Sequence, residues 1–251
     1  MTSPTRRQVL GTLSGAALLT LGAAPARSAA GLDPVELTQS TQIRTDESLP
    51  ALALDWRETV NGAVTADTDL TTVSADRTGD VGLVVDEAVL PGDTGAVTLR
   101  VTPVDDATDD RVADSVAVSL HFALTETAEN GRNEPERAAG DDTPERGELQ
   151  DVATVELWRD MGVGTGNGAS EDIPFVTDGD ETIAAGTLAE VAADPTFEEG
   201  YRLARAGDGC LSVADSVYVS VRWAIPAQAG NVIQSDSARF AIGVSGRRCD
   251  G

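Results

Sequence analysis

Apolar and polar residues alternate along seven stretches of this chain, with the two-residue period of a strand that buries one face. The stretches are Leu49–Trp56, Val81–Val89, Val97–Val104, Val116–Leu124, Val152–Trp158, Val217–Ile225 and Ala238–Val244. Glycine, proline and aspartate lie at their ends, as they do in turns. Short strands separated by such turns are typical of an antiparallel sandwich, so we predict an all-β fold.

One segment, Thr182–Ala193, has helical spacing instead. Its residues Ile183, Leu188 and Val191 fall on one face of a helix. Asp194, followed by proline, is a stop signal at its end. A helix this short is expected to cap the sheets rather than to form a layer of its own.

Three polar insertions interrupt the strand pattern. They are Ala66–Asp80, Glu126–Gln150 and Met161–Asp172. The middle insertion carries eight acidic residues and two prolines without any periodicity. We therefore predict long, solvated acidic loops at all three places.

Two of the predicted strands have closely similar sequences. Residues 112–124 and 213–225 both begin Val-Ala-Asp-Ser-Val and carry large apolar residues on one face. The segments on either side do not repeat, which argues against a tandem duplication. We interpret the pair as equivalent strands packed against one core, in opposite halves of the sandwich; chance similarity is the alternative.

The first 26 residues have the pattern of an export signal. Arg6 and Arg7 precede an apolar run from Val9 to Ala24, and an Ala-Pro-Ala cleavage box follows. A twin-arginine pair is typical of the route that exports folded proteins. We therefore expect a secreted or cell-surface protein whose leader is cleaved among residues 26 to 30.

The rest of the chain divides into two parts. Residues 27–48 form a polar N-terminal arm, in which Val35 and Leu37 give only slight strand character. Residues 49–251 are expected to form a single sandwich domain. No later apolar stretch is long enough for a transmembrane helix, so we expect none after the signal is removed.

The charge balance is strongly acidic. All 18 basic residues are arginine, against 42 aspartates and glutamates, and the formal net charge is −24. Arginine in place of lysine on a carboxylate-rich surface is typical of proteins that work in concentrated salt, where repulsion is screened. The composition therefore indicates an extreme halophile. It argues against nucleic acid and anionic membranes as partners, because no basic stripe offsets the repulsion.

The chain contains two cysteines, Cys210 and Cys249. In an exported protein an even pair predicts a disulfide, and two independent thiols are the alternative. A metal site at this pair would need further cysteine or histidine donors, which the sequence does not provide.

Signals for catalysis are few. His121 is the only histidine, which excludes a His-Glu-x-x-His zinc site, and it falls on the outward side of its predicted strand. Asp93-Thr94-Gly95 copies the aspartic-protease triplet, but that chemistry needs two copies. Residues 164–169 fit a relaxed dinucleotide-binding pattern, but no helix signal follows them. We therefore expect neither enzymatic activity nor an organic cofactor.

Clusters of acidic residues supply the remaining candidate site, because calcium prefers hard oxygen ligands. The candidates are Asp105, Asp106, Asp109, Asp110, Asp178, Asp180 and Glu181. Their spacing does not match the twelve-residue calcium loop. A solvated acidic surface is the alternative, and it agrees with the halophilic composition.

Short segments along residues 50 to 249 together carry a further signal. They are Leu52–Trp56, Val89–Asp93, Gly95–Leu99, Glu129–Gly131, Glu134–Glu136, Gly147–Leu149, Val155–Asp160, Gly186–Leu188, Val221–Pro226 and Gly230–Asp236. In this order they resemble the TasA/camelysin family, in particular its halophilic proteins with SipW-type signal peptides. The camelysin branch is described as metalloproteases, but this sequence has no recognisable metal triad.

The resemblance implies a jelly-roll sandwich in an extracellular structural subunit. Relatives assemble into matrix fibres by donating an N-terminal strand to the next subunit. Residues 31–48 would be that donor, with Val35, Leu37 and Ile43 seated along a neighbour's edge. We expect a structural or adhesive protein that self-associates into polymers; the alternative is an extracellular module that binds calcium or a glycan.

Overall fold

The computed structural model describes residues 37–44, 48–64, 79–84, 90–104, 114–160, 181–203, 209–213 and 215–249. Strands dominate these ranges, and every paired strand is antiparallel to its neighbour. The strands are β1 (Gln39–Ile43), β2 (Ala51–Val60), β3 (Ala63–Val64), β4 (Gly79–Val84), β5 (Thr94–Val104), β6 (Ser115–Glu129), β7 (Thr154–Asp160), β8 (Glu181–Thr187), β9 (Tyr201–Arg202), β10 (Leu211–Ser212), β11 (Val217–Ala224) and β12 (Asp236–Arg247). The helices are α1 (Glu134–Ala139), α2 (Leu149–Val152), α3 (Leu188–Ala192), α4 (Pro195–Glu199) and a 3-10 turn at Asn231–Ile233.

Two sheets share one hydrophobic core. The first sheet has the order β1-β2-β5-β11-β7-β8, with β3 paired to β2. The second has the order β10-β6-β12-β4, with β9 paired to β6. Burial alternates strictly along β5, which is the two-residue period that the sequence shows. The prediction of an all-β antiparallel sandwich is confirmed.

The two similar segments lie in opposite sheets, as interpreted from the sequence. Val118, Leu120 and Phe122 of β6 are buried in the second sheet. The matching residues of β11 fill the facing layer, where Val219 and Trp223 are buried. The two strands therefore contribute equivalent side chains to one core from its two sides.

The helix predicted over Thr182–Ala193 is wrong in its first half. Residues 181–187 form β8 at the edge of the first sheet, where backbone hydrogen bonds to β7 outweigh the helical spacing. The helix begins only at Leu188, after Thr187 and Glu190 form a capping box. Leu188 and Val191 are buried, as their spacing predicts.

The N-terminal arm is not wholly outside the sheet, which corrects the sequence-based boundary. Gln39–Ile43 forms β1 and pairs with β2, from Gln39 opposite Trp56 to Ile43 opposite Leu52. Its sequence lacks apolar alternation, so its own side chains do not mark it as a strand. Residues 39–43 form a strand because they pair with the free edge of β2, and Ile43 packs into the core.

Three residues singled out in the sequence have structural roles in the second sheet. Cys210 and Cys249 form a disulfide that joins the start of β10 to the chain just after β12, as predicted.

His121 points away from the core but is not a freely exposed surface residue. Its Nδ1 lies 3.1 Å from the Phe197 carbonyl oxygen and its Nε2 lies 2.8 Å from Ser245 Oγ, because α4 covers this face.

Candidate metal centre

The acidic insertion folds into structured elements, so the prediction of a solvated loop over Glu126–Gln150 is wrong. Its first part extends β6 to Glu129, and α1 and α2 follow. Asn133 caps α1 by accepting a hydrogen bond from the Glu136 backbone, while the Glu136 carboxylate accepts one from the Asn133 backbone. This reciprocal box satisfies donors at the helix start and directs Glu136 inward, where it is fully buried.

The fold brings two further acids against this helix. Glu129, the last residue of β6, stands directly opposite Asp236, the first residue of β12. Like charges in this position repel one another, so the pairing costs stability unless something compensates it. Glu148 precedes α2, and its backbone N–H and that of Leu149 both donate to Asp236 Oδ2.

Five carboxylates thereby converge in what we call the carboxylate centre: Glu129, Glu136, Asp141, Glu148 and Asp236. They form two groups of three. In one group, single oxygens of Glu129, Glu148 and Asp236 all lie within 4.8 Å of one another. In the other, the same holds for Glu129, Glu136 and Asp141, so both groups contain Glu129.

Four oxygens of the centre are buried without a hydrogen-bond donor. They are Glu129 Oε2, Asp141 Oδ2, Glu148 Oε2 and Asp236 Oδ1. A buried carboxylate oxygen without a partner costs free energy, because it has lost water and gained nothing. Asp141 Oδ2 is also 4.0 Å from Arg132 Nε, and the four oxygens together mark the centre as a candidate for a cation.

The partner oxygens of the same carboxylates are held. Asp141 Oδ1 accepts from the backbone N–H of Thr143 at 2.8 Å, and Glu148 Oε1 accepts from the Thr143 hydroxyl. Asp236 Oδ2 accepts from two backbone N–H groups at the start of α2. In each of these residues, one oxygen anchors the side chain to the protein and the other is left for something else.

Glu136 and Glu129 are held differently, through Ser235. Glu136 Oε1 accepts from the backbone N–H and the hydroxyl of Ser235, both at 2.6 Å. The same hydroxyl lies 3.3 Å from Glu129 Oε1, and it has only one proton to donate. Glu129 is therefore the carboxylate of the centre with the least compensation from hydrogen bonds.

Positive charge near the centre is scarce. Among the ion pairs of the described residues, only that of Arg132 reaches the centre, with Nε 4.0 Å from Asp141 Oδ2. The same guanidinium also donates to the Asp141 carbonyl oxygen at 3.0 Å. One arginine faces five carboxylates, so the centre has a large excess of negative charge.

The excess charge is visible in the acidity of Asp236. Burial is the largest cause that raises its pKa, and the neighbouring Glu129 carboxylate raises it further. Hydrogen bonds from the Glu148 and Leu149 backbones oppose these effects, yet the pKa is raised to about 7. For Glu136, burial also acts to raise the pKa, but the hydrogen bonds from Ser235 and Asn133 outweigh it and the pKa is lowered.

The donor set selects the kind of ligand. All the donors are carboxylate oxygens, which suit hard cations such as calcium and not the thiolate and imidazole preferences of zinc. Oxygens within 4.8 Å of one another can share one cation at the calcium–oxygen distance of about 2.4 Å. The carboxylate centre can therefore bind calcium.

The calcium candidates chosen from the sequence are not in this centre. Asp105, Asp106, Asp109, Asp110, Asp178 and Asp180 lie outside the described residues, as do Arg6, Arg7 and the glycine-rich segment 164–169. Glu181 lies in β8, where it pairs with Arg159 and accepts a 3.3 Å hydrogen bond from the Tyr201 hydroxyl. Its carboxylate stabilises the sheet edge.

Asp93 has a structural role in the turn before β5. Its carboxylate accepts hydrogen bonds from the Leu90 backbone at 2.7 Å and from Asn61 Nδ2 at 2.9 Å. Asn61 in turn accepts from the Thr94 backbone at 2.9 Å. The contacts join the turn before β5 to the turn after β2.

Sequence reasoning missed all five residues of the centre. One local signal was present, because Asn133 and Glu136 have the spacing of a capping box. That signal predicts α1 but not the approach of Asp236, which follows in the chain by about a hundred residues.

No protein-family model, curated protein or solved structure matches this chain. The resemblance to the TasA/camelysin family stays a prediction.

Within the described parts of the chain, none of the helices has the length and apolar character needed to cross a bilayer.

Proposed function

We propose that this protein is an extracellular β-sandwich module that binds calcium at the carboxylate centre. One observation carries the proposal: carboxylate oxygens approach within 4.8 Å of one another in two groups of three residues that share Glu129, and four buried oxygens of these residues have no hydrogen-bond donor. The disulfide supports export, since such bonds persist in oxidising compartments. Calcium bound there would link β6 to neighbouring elements of the centre and so stabilise this end of the molecule.

Isothermal titration with calcium chloride tests the proposal. The full chain, freed of metal with EDTA and dialysed into molar KCl, is expected to bind calcium with saturation and to melt at a higher temperature when bound. Binding to the folded state alone stabilises by about 2.7 kcal/mol at a free calcium concentration of a hundred times Kd. Magnesium is expected to bind less tightly, because it requires near-octahedral geometry and gives up its waters reluctantly.

A matched pair of variants separates the centre from acidity in general. Glu129→Gln removes the carboxylate common to both groups and is expected to abolish or strongly weaken binding. Glu134→Gln removes an exposed carboxylate of the neighbouring α1 and is expected to bind like the wild type. If the wild type takes up no calcium at millimolar concentration, or if both variants bind equally well, calcium binding at this centre is wrong.

We also propose that the module has a structural role through exchange of β1 between copies. Among the strands that the structure describes, β1 is the edge strand of the first sheet and pairs with β2 alone, through five residue pairs. Its exchange would place Ile43 of one copy in the core of the next, with the same contacts. If each copy gives its β1 to the next, the copies form a polymer, as we expect of a halophilic matrix protein.

A crosslink across the β1–β2 pair tests the exchange. Gln42 and Ala53 are direct partners in the register, so cysteines at both positions would lock β1 onto its own subunit once oxidised. Electron microscopy of the wild type in molar salt is expected to show polymers, and the locked variant is expected to remain monomeric. Polymers of the locked variant, or a wild type that stays monomeric at high concentration, would rule out the exchange.

A further inference from the structure

The carboxylate centre contains two groups of ligands rather than one. Glu129, Glu148 and Asp236 lie together at the junction of β6, β12 and α2. Glu129, Glu136 and Asp141 lie together against α1. The five residues do not form a single group at the spacing of 4.8 Å, so one ion cannot contact all of them.

Each group has its own oxygen without a donor. Asp141 Oδ2 belongs to the group at α1, and this residue is only 6% exposed. Glu148 Oε2 and Asp236 Oδ1 belong to the group at α2. An ion in one group would leave the oxygens of the other group buried without a hydrogen-bond donor, and the contact of Arg132 with Asp141 would offset only part of that cost.

Charge leads to the same conclusion. Among the ion pairs of the described residues, one guanidinium, that of Arg132, contacts these five carboxylates. A single divalent ion together with Arg132 neutralises three of the five negative charges. Two divalent ions together with Arg132 neutralise all five. Buried charge is tolerated when it is balanced, so with all five carboxylates ionised two ions balance the centre and one does not.

We propose that the carboxylate centre binds a pair of calcium ions, with Glu129 as the bridging ligand between them. The inference rests on the proposed calcium-binding function and adds the number of ions and their arrangement. Glu136 and Asp141 hold one ion, and Glu148 and Asp236 hold the other. Glu129 Oε2 has no donor and Oε1 has only a shared one, so its carboxylate is free to bind on both sides.

Equilibrium dialysis of the full chain against calcium chloride in molar KCl measures the number of ions. The wild type is expected to bind two calcium ions per chain at saturation. Asp141→Asn weakens the group at α1, and Glu148→Gln weakens the group at α2, so each variant is expected to retain one. Glu129→Gln is expected to lower the occupancy of both, and Glu134→Gln is expected to keep two.

The outcomes separate the two proposals. One ion per wild-type chain overturns the pair and leaves the calcium-binding function in place. No bound calcium overturns both. Two ions that persist in Asp141→Asn and in Glu148→Gln would place them elsewhere and overturn the assignment to these ligands. Because wild-type stoichiometry decides the first question, the test does not depend on the folding of any variant.

Discussion

At the scale of single residues, the packing of Trp223 leaves no room for a side chain at Gly95. Gly95 at the start of β5 lies beneath the Trp223 ring, and a methyl group added at Gly95 would come within 2.4 Å of two ring atoms. Real Cβ atoms do not approach other atoms so closely, so the ring or the strand would have to move. The packing of Trp223 against β5 therefore requires a glycine at position 95.

We predict that Gly95→Ala lowers the free energy of unfolding by about 1 to 3 kcal/mol, the usual cost of overpacking a core. Urea denaturation followed by tryptophan fluorescence measures the loss. Gly230→Ala is the matched control, because the nearest atom to its added methyl group is 3.9 Å away. Equal stability of the Gly95 variant and the wild type would show that the Trp223 ring can move without cost.

The raised pKa of Asp236 predicts a pH dependence of the calcium-free protein. The folded state keeps a proton on this carboxyl up to its raised pKa of about 7, whereas the unfolded chain releases it near the ordinary aspartate pKa of 3.8. Its contribution to stability is therefore full below the unfolded pKa and is lost as pH rises to about 7. The charged groups around it are those of Glu129, Glu148, Glu136, Asp141 and Arg132.

Melting temperatures in EDTA between pH 4 and pH 8 test this dependence. Asp236→Asn is expected to flatten the fall with rising pH, because the amide does not titrate. Asp142→Asn changes an exposed acid outside the centre and is expected to keep the wild-type slope. A wild type and an Asp236→Asn variant with the same slope would show that Asp236 is not the responsible group.

At the scale of elements, apolar alternation predicted the strands that bury a face of their own. β5 follows from its sequence because every second residue enters the core. In β6 and β11 the alternating apolar residues are also buried, together with small or polar residues between them. Two edge strands, β1 and β8, could not be predicted in this way. Their residues are mostly polar or small, and they form strands because they pair with β2 and β7 of the first sheet. Edge strands of this kind are specified by their neighbours.

The carboxylate centre was beyond sequence reasoning for a similar reason. Its ligands come from β6, α1, the segment before α2, and β12, and no short spacing joins them. Acidic residues are common throughout this chain, so an acidic insertion by itself predicts a solvated surface. Only the register of β6 against β12, with Glu129 opposite Asp236, places two of the acids together.

Two short helices with the same cap allow a test of how α1 supports the centre. Asn133 begins the capping box of α1, and Thr187 begins that of α3. Asn133→Ala and Thr187→Ala are each expected to cost about 1 kcal/mol of stability. Only Asn133→Ala is also expected to weaken calcium binding, because Glu136 is both the partner in this cap and a ligand.

Chemical denaturation and calcium titration of the two variants measure both effects. The Thr187 variant controls for a general loss of stability, since its helix lies outside the centre. If the two variants bind calcium with the same affinity as the wild type, the cap of α1 does not position the ligand. If both lose affinity equally, the effect is one of stability and not of position.

At the scale of the whole molecule, calcium binding and salt act on the same excess of negative charge. The net charge of −24 means that carboxylates repel one another throughout the folded chain. Salt screens this repulsion, with a screening length of about 10 Å at 0.1 M and about 3 Å at 1 M. Calcium would act only at the carboxylate centre, where the charges are buried and salt screens them less. The two contributions are therefore separable.

We predict that the melting temperature in EDTA rises as KCl increases from low to molar concentration, because screening relieves repulsion in the compact state. Millimolar calcium is expected to raise the melting temperature at every salt concentration. The gain is expected to persist in molar KCl, because calcium bound at a buried centre is not replaced by screening. Glu129→Gln is expected to keep the salt dependence of the wild type and to lose the response to calcium. A melting temperature in EDTA that is flat across this range would contradict the halophilic interpretation, and a calcium response that survives in Glu129→Gln would place the bound ions outside the centre.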